Sequence, residues 1–358
     1  MQVDMHYCAT AVLARAAGFD EDDALVVGFA AQYVDDALDG RDILVGGRPF
    51  SPLSTANDLG RYLKSQDPQV WHKVYIPFHF LPPDPAQGPA GDFLTQPRGR
   101  LVEGLLADVA RDQPLGQPHD RLYGLCRLGV ALHTVADTWS HQGFSGRWHD
   151  ENDVREVRVL DQPDDLVRAL KRAWSEWAGA VNALLPMKVA HFQAGFLPDY
   201  PFLEWRAVFA GADGEMGREM RLNNREQYLL ACRFLHDTLL AWPKGRPAGV
   251  VPWPRIEPEI QACLACNEVG RQARCDRWRQ AFAHLFPDHG GLPAYDKHQW
   301  EVQALGEKLR QTPFSDLAES LGSRPSYPGA PDFQSSAWVQ FHGAALAQRR
   351  WVGQQVKV

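Results

Sequence analysis

HTVADTWSHQGF, residues 133–144, places His133, Asp137 and His141 at strict four-residue intervals inside an otherwise apolar stretch. On a helix, residues i, i+4 and i+8 lie along one stripe, successive members about 6 Å apart along the axis and about 40° around it. His133 and Asp137 can therefore ligate one ion, whereas His133 and His141 are too far apart to share it. His141 implies a second ion or another job. Asp137, in the middle with two oxygens, can bridge ions that no single histidine reaches together. Paired divalent ions suit phosphoester hydrolysis, because they lower the pKa of water and neutralise charge building on the phosphoryl oxygens. The alternative is plain: a His-Asp pair on a helix can be a simple hydrogen bond, and Ser140 and His141 can satisfy backbone groups at a helix end.

The rest of the chain places this stripe in a helical protein. Apolar spacing near 3.6 predicts helices over 5–17, 22–37, 99–112, 120–142, 163–184, 223–242, 258–285, 297–310 and 333–352. Only HKVYIPFHFL, 72–81, and the short region 154–160 read as strand-like, and a proline interrupts the first. The expectation is an all-α, multi-helix fold with long loops and little β structure. It forms one large metal-binding domain over 1–358, with a C-terminal helical extension from about 258 as a variant. The Pro- and Gly-rich loops 40–98 and 243–257 are long for a compact domain, and the first carries histidines and aromatics, which favours function.

Composition narrows the partners. The 358 residues are 45% apolar and 23% charged, with a formal charge of -7 and a pI near 6.0. Bulk charge offers no attraction to phosphate backbones or anionic membranes, and by itself neither names a ligand nor excludes one; no stable nucleic-acid complex is expected. An anionic substrate would need local positive charge, such as metal ions. The N-terminus lacks a secretory h-region, and no window approaches the roughly eighteen apolar residues of a membrane span, so the chain reads as cytoplasmic with no transmembrane segment. Six scattered cysteines suit reduced thiols. The lone C-x-x-C at 263–266 lacks the second pair that a zinc ribbon requires.

Further ligand candidates lie along the chain. VDMHY offers Asp4 and His6, which otherwise read as an N-cap and a surface histidine. AAQYVDDALDG ends a helix with Asp35 and Asp36, either solvated or hanging into a site. His79 stands among Pro77, Phe78, Phe80 and Leu81, where an imidazole needs a partner. MKVAHFQAGFLPDYP adds His191 and Asp199 beside a Gly and Pro turn. Trp71, Tyr75, Phe78, Phe80, Trp139 and Phe144 surround these positions and could stack on a base, cover an acyl chain or fill the core. Trp139, two residues after Asp137, belongs on the opposite face, in the core.

With these residues assembled, the sequence resembles the zinc-dependent phospholipase C and S1/P1 nuclease superfamily. More closely, the MQVDMHY start, QYVDDA, FHFLP, ALHTVADTWSHQGFSG and AHFQAGFLPDYP resemble an uncharacterised bacterial family that shares the HxxxD logic. The resemblance implies an all-α domain holding up to three zinc ions, or other divalent transition metals. It implies His133 and Asp137 with Asp35 or Asp36 and His79 around one ion, and His6 on another ion that shares Asp137. It leaves His141 and His191, with Asp199, for the remaining ion. Two departures stand out. The superfamily's histidine after the HxxxD aspartate comes six residues later, whereas His141 comes after four. Its enzymes also ligate zinc through the terminal amine of a mature tryptophan, whereas this chain starts Met-Gln, so that Asp4 replaces that contribution or one ion is missing.

The function so implied is hydrolysis of a small-molecule, lipid or nucleotide phosphoester, phosphodiesters above all, by metal-activated water. Whichever of Asp35 and Asp36 is not a ligand would serve as general base. Two alternatives remain open: a non-catalytic protein whose metals stabilise a binding scaffold, and an HD-type phosphohydrolase using His119-Asp120, His149-Asp150 or His236-Asp237. Structural zinc sites are closed and usually cysteine-rich, so a His/Asp set favours the enzyme.

Overall fold

Two glycines permit the close helix packing beneath the HxxxD stripe. Helix α2 (Glu21–Asp36) starts at the Asp20 cap, whose carboxylate accepts the Asp23 N–H. It packs along the long helix Pro118–Ser140, which carries the HxxxD stripe. A Cβ at Gly129 would come within 2.5 Å of the Val27 carbonyl oxygen and 2.6 Å of the Ala30 Cβ, and one at Gly28 within 2.8 Å of the Tyr7 carbonyl oxygen. The absent side chains let α2 lie against both its neighbours. Asp35, in the last turn of α2, thereby reaches His133. We expect Gly129→Ala to lower the unfolding free energy by about 1–3 kcal/mol through overpacking, read as a lower denaturant midpoint. An unchanged midpoint would mean that the two helices have room to spare.

The structure is a computed structural model and describes residues 1–57, 66–88, 92–111, 118–160, 162–172, 187–211, 215–242, 249–288, 290–306 and 325–357. A π-helical segment, Asp4–Ala9, runs into α1 (Thr10–Ala16) and then α2. The hairpin β1 (Ile43–Val45) and β2 (Arg48–Phe50) turns at Gly46 and Gly47, both at positive φ, as a tight two-residue turn demands. Helix α3 (Arg100–Arg111) precedes α4 (Pro118–Ser140). Next come β3 (Val154–Leu160), β4 (Glu204–Ala210) and β5 (Met216–Asn223). They are followed by α5 (Asn224–Ala241), α6 (Trp253–Leu264), α7 (Arg271–Leu285) and α8 (Gln299–Leu305). Strand β6 (Ser326–Tyr327) and α9 (Ala337–Gln355) complete the order. Helix α9 packs on α4, and residues from α1 to α9 share one apolar core.

The protein is mostly helical, but the all-α expectation needs correction. Among the described residues there are two three-stranded sheets, β2-β1-β6 and the antiparallel meander β3-β4-β5. Ala207 pairs with Val157 on one side and Met220 on the other. Trp205, Ala207 and Phe209 are buried and alternate along β4, a period-two signal that marks the strand in sequence. They join Phe80, Phe144, Val189 and Phe192 in a second apolar cluster, which backs the loop carrying His191 and Asp199.

Residues 72–81 also differ from expectation. They form a helical run, Trp71–Tyr75 in π form and Ile76–Phe78 in α form, instead of a strand. Pro77 falls in the first turn of the Ile76–Phe78 segment, directly after the π segment. The Pro77 carbonyl accepts from Gln348 Nε2 at 2.8 Å, and the Phe78 carbonyl accepts from Thr134 Oγ1 at 2.8 Å. Those donors come from α9 and α4, so nothing in the local sequence announces them. The helix expected over 258–285 is divided into α6 and α7, with Gly270 at the start of the second. That over 163–184 is helical across 164–172, and 173–184 lies outside the described residues, as does 307–310 of the helix expected over 297–310.

Candidate metal centre

Four histidines have their tautomers set by backbone carbonyls. An oxygen of this kind only accepts, so the imidazole nitrogen facing it must carry the proton. His133 Nδ1 donates to the Ala31 carbonyl at 2.7 Å, His79 Nε2 to Thr55 at 2.9 Å, His141 Nδ1 to His79 at 2.9 Å, and His191 Nδ1 to Gly195 at 2.9 Å. In the neutral rings the other nitrogen keeps its lone pair, and these lone pairs converge. His133 Nε2 and His79 Nδ1 are 3.1 Å apart, each 3.2 Å from Asp137 Oδ2. His141 Nε2 and His191 Nε2 lie 3.4 and 3.8 Å from the oxygens of Asp199.

Asp137 is the hub. Its Oδ2 faces His79 and His133, with His141 Nδ1 at 3.7 Å, while its Oδ1 faces His6 Nε2 at 3.2 Å and the Met1 α-amine at 2.8 Å. Among the described residues, three groups bring ligand atoms within 4.8 Å of one another: His6, His133 and Asp137; Asp35, His79 and His133; His141, His191 and Asp199. His133 belongs to two of them with one free nitrogen, so it serves one ion only. The two ring nitrogens of His6, and Nε2 of His141, are buried without a hydrogen-bond partner. Buried polar atoms of that kind normally find one, and cations would satisfy one nitrogen of His6 and Nε2 of His141.

The electrostatics agree with a ligand set at most positions; at His79 burial is outweighed by the hydrogen bond to Asp137 and the charges of Asp137 and Asp35, which raise its pKa. Burial pushes His6, His133 and His191 down to about 4, so these rings are neutral at pH 7 and free to ligate. Burial pushes the Asp137 carboxyl up, but the facing His141, Met1 amine, His133 and His6 outweigh it and hold it well below the ordinary carboxylate range. Asp199 is lowered in the same way, against its burial, by the Met1 amine and His191. Asp35 is raised by its burial, only partly offset by His133 and His79.

Local structure explains how each group arrives. His6 sits in the π-helical segment Asp4–Ala9, and His79 directly follows the run containing the other π segment, Trp71–Tyr75; such widened turns often mark functional sites. Asp199 stands in a 3₁₀ turn, Leu197–Asp199, held from behind. Asn224 Nδ2 donates to the Leu197 and Tyr200 carbonyls at 2.7 and 2.8 Å, and the Tyr228 hydroxyl donates to Pro198 at 2.8 Å. His191 follows Ala190, whose φ of +54° is a left-handed conformation that costs a non-glycine residue about 1–2 kcal/mol. Phe80 stacks on His141 with ring centroids 4.6 Å apart. Trp139 is buried in the core against Phe234, on the face away from the site.

Two expected site residues lie elsewhere. Asp4 is buried in an ion pair with Arg274, Nε to Oδ2 at 2.9 Å. The same guanidinium bonds Gln2 and the carbonyls of Glu268 and Val269, so Asp4 anchors the first residues to α7 instead of facing the cluster. The group beside Asp137 and Asp199 is the Met1 α-amine, 2.8 and 3.1 Å away and raised to about 11 as the carboxylates outweigh burial. Asp36 accepts from the Tyr295 hydroxyl at 2.9 Å and from Gln32 Nε2 at 3.0 Å, on the other side of α2. Asp35 is the carboxylate of that pair in the cluster, 3.7 Å from His133 Nε2 and 3.9 Å from His79 Nδ1.

Among the described residues, the other arrangements read from sequence lie outside the three ligand groups. His236 is buried, and Asp237, 3.8 Å from its Nδ1, pairs with Arg233 at the surface, while the exposed His149 caps a short 3₁₀ turn. The His119 side chain lies outside the described residues. Cys263 and Cys266 are free thiols outside all three groups. Among the described residues no helix is long and apolar enough to cross a membrane.

Residues 1–356 match a protein family described as a family of unknown function, DUF6765. The chain belongs to that family. No curated protein and no solved structure matches it. In this DUF6765 chain the cluster borders a cavity of about 190 Å³, lined among others by Asp35, Asn57, Tyr75, Phe80, Phe192 and Phe196. Sequence reasoning missed Asn57, which has no motif, and the Met1 amine, which no side-chain pattern encodes.

Proposed function

We propose that this protein is a metal-dependent hydrolase of small phosphoesters, phosphodiesters above all, holding one to three zinc or similar divalent transition-metal ions. The observation that carries the reading is the set of lone pairs, oriented by backbone carbonyls, that converge on Asp137 and Asp199. Without a cation, such neighbours repel. Nitrogen and carboxylate donors suit zinc and its neighbours. The grouping of His133, Asp137, Asp35 and His79, of His6 across Asp137, and of His141, His191 and Asp199 also supports kinship with the phospholipase C and S1/P1 nuclease superfamily.

Bound divalent ions supply a lowered water pKa and charge neutralisation at phosphoryl oxygens. The chain's own groups do the rest. Ala31, Thr55, His79 and Gly195 carbonyls orient the imidazoles, as outer partners of metal ligands do. Asp35, which lines the cavity 3.9 Å from His79 Nδ1, would act in one of two ways there: as a further donor to the ion of His79 and His133, or as the group that takes a proton from the attacking water. Phe80, Phe192 and Phe196 keep the cavity wall apolar. We place the protein in the cytoplasm, acting on a small-molecule, lipid or nucleotide phosphoester.

Protein purified without chelators is expected to carry histidine-bound transition metal, measured by elemental analysis. It should hydrolyse bis(p-nitrophenyl) phosphate, lose that activity with chelator and regain it with Zn2+. Metal-free protein of unchanged stability would sink the metal reading; bound metal without turnover of phosphodiesters or phosphomonoesters would leave a metal-stabilised scaffold instead.

A further inference from the structure

Resting on the hydrolase reading, we propose that Asn57 is the site's neutral oxyanion donor: its carboxamide N–H binds a non-bridging phosphoryl oxygen of the substrate. Asn57 Nδ2 is buried and has no hydrogen-bond partner, and the residue lines the same cavity as Asp35, His79 and Asp137. An amide donor left unpaired inside a protein costs free energy unless something completes it. The carboxylates of Asp35, Asp137 and Asp199 and the lone pairs of the histidines are acceptors suited to cations, and the Met1 amine that shares the cavity is already held by Asp137 and Asp199. A carboxamide nitrogen has no lone pair to offer a metal, so its complement is an oxygen acceptor.

The segment that presents it is tied to the site on several sides. The Thr55 N–H donates to the Ala37 carbonyl at 2.9 Å and its hydroxyl to Val34 at 2.6 Å, both at the end of the helix carrying Asp35. The Thr55 carbonyl accepts the His79 Nε2 proton at 2.9 Å. The Leu53 N–H donates to His342 Nδ1 at 3.0 Å. Asn57 is thus two residues from the carbonyl that orients a ligand histidine, on backbone fixed to α2 and α9. A donor held in place before charge develops needs no reorganisation when it does, which is where such groups have their largest effect. Being neutral, it adds stabilisation without competing for the metal ligands.

The test uses the full chain with its metal content measured for each variant. For Asn57→Ala, kcat on bis(p-nitrophenyl) phosphate is expected to fall about 100-fold, as when one oxyanion donor is removed, with KM within about threefold and metal stoichiometry unchanged. Asn57→Asp, which is isosteric but replaces the donor by a carboxylate oxygen, should fall further and should weaken inhibition by inorganic phosphate. Asn57→Ala that keeps its metal and turns over within about threefold of wild type overturns the assignment while leaving the hydrolase reading intact. Loss of metal in both variants overturns it too, by making Asn57 part of the metal support. A wild type that holds metal but neither hydrolyses the probe nor binds phosphate removes the hydrolase reading itself.

Discussion

Asp137→Ala is expected to lose more than one equivalent of metal, while His141→Ala loses at most one. The difference follows from which atoms each side chain faces. Asp137 Oδ1 is shared between the Met1 amine and His6, and Oδ2 between His79 and His133. Removing it takes a ligand from the group of His6 and His133, removes the oxygen that faces His79 and His133 of the Asp35 group, and strips negative charge from beside every remaining cation, so affinity falls even where other ligands survive. His141 faces only Asp199 and His191 with its free nitrogen, and its loss is confined to that group. Metal stoichiometry per chain, measured for wild type and both variants at matched purity, decides the matter. Retention of the full complement by Asp137→Ala would remove the shared metal wall and with it the main support for hydrolysis.

The second large effect separates two adjacent carboxylates. Asp35→Asn is expected to depress phosphodiester turnover by about 10²- to 10⁴-fold, the usual contribution of a positioned acid or base. Asp36→Asn should stay within about threefold of wild type in both turnover and metal content. Asp36 is occupied by the Tyr295 hydroxyl and Gln32, and an asparagine oxygen can still accept from them. Asp35 faces His79 and His133 at the edge of the cavity. If Asp35→Asn keeps its metal while losing turnover, Asp35 acts on the proton; if it loses one ion, it acts as a ligand. Equal losses in the two variants would contradict the separation.

Helix existence and the stripe were legible because both are local. Caps and apolar period place α2, α5 and α9 within a few residues of expectation, with Asp20, Asn223 and Ser336 as their caps. The i, i+4 spacing alone puts His133 and Asp137 on one face, and the atoms do meet at 3.2 Å. A histidine in apolar surroundings also announces itself, since a buried imidazole must have a partner; His79 is found from that argument and reaches the cluster.

What the sequence by itself determined, then, is the set of faces that must be buried and the residue types that need partners there. What those faces are buried against was decided only by the tertiary structure. Successive residues on a helix differ by about 100° in direction, so Asp35 and Asp36 cannot both face the site, yet their surroundings in sequence are the same; the placement of Tyr295 and His79 makes the choice. Asp4 looks like a ligand until Arg274, 270 residues away, claims it. The apolar run at 72–81 becomes helical because Thr134 and Gln348 complete its carbonyls. In each case the deciding partner is distant along the chain, and local periodicity carries no record of it.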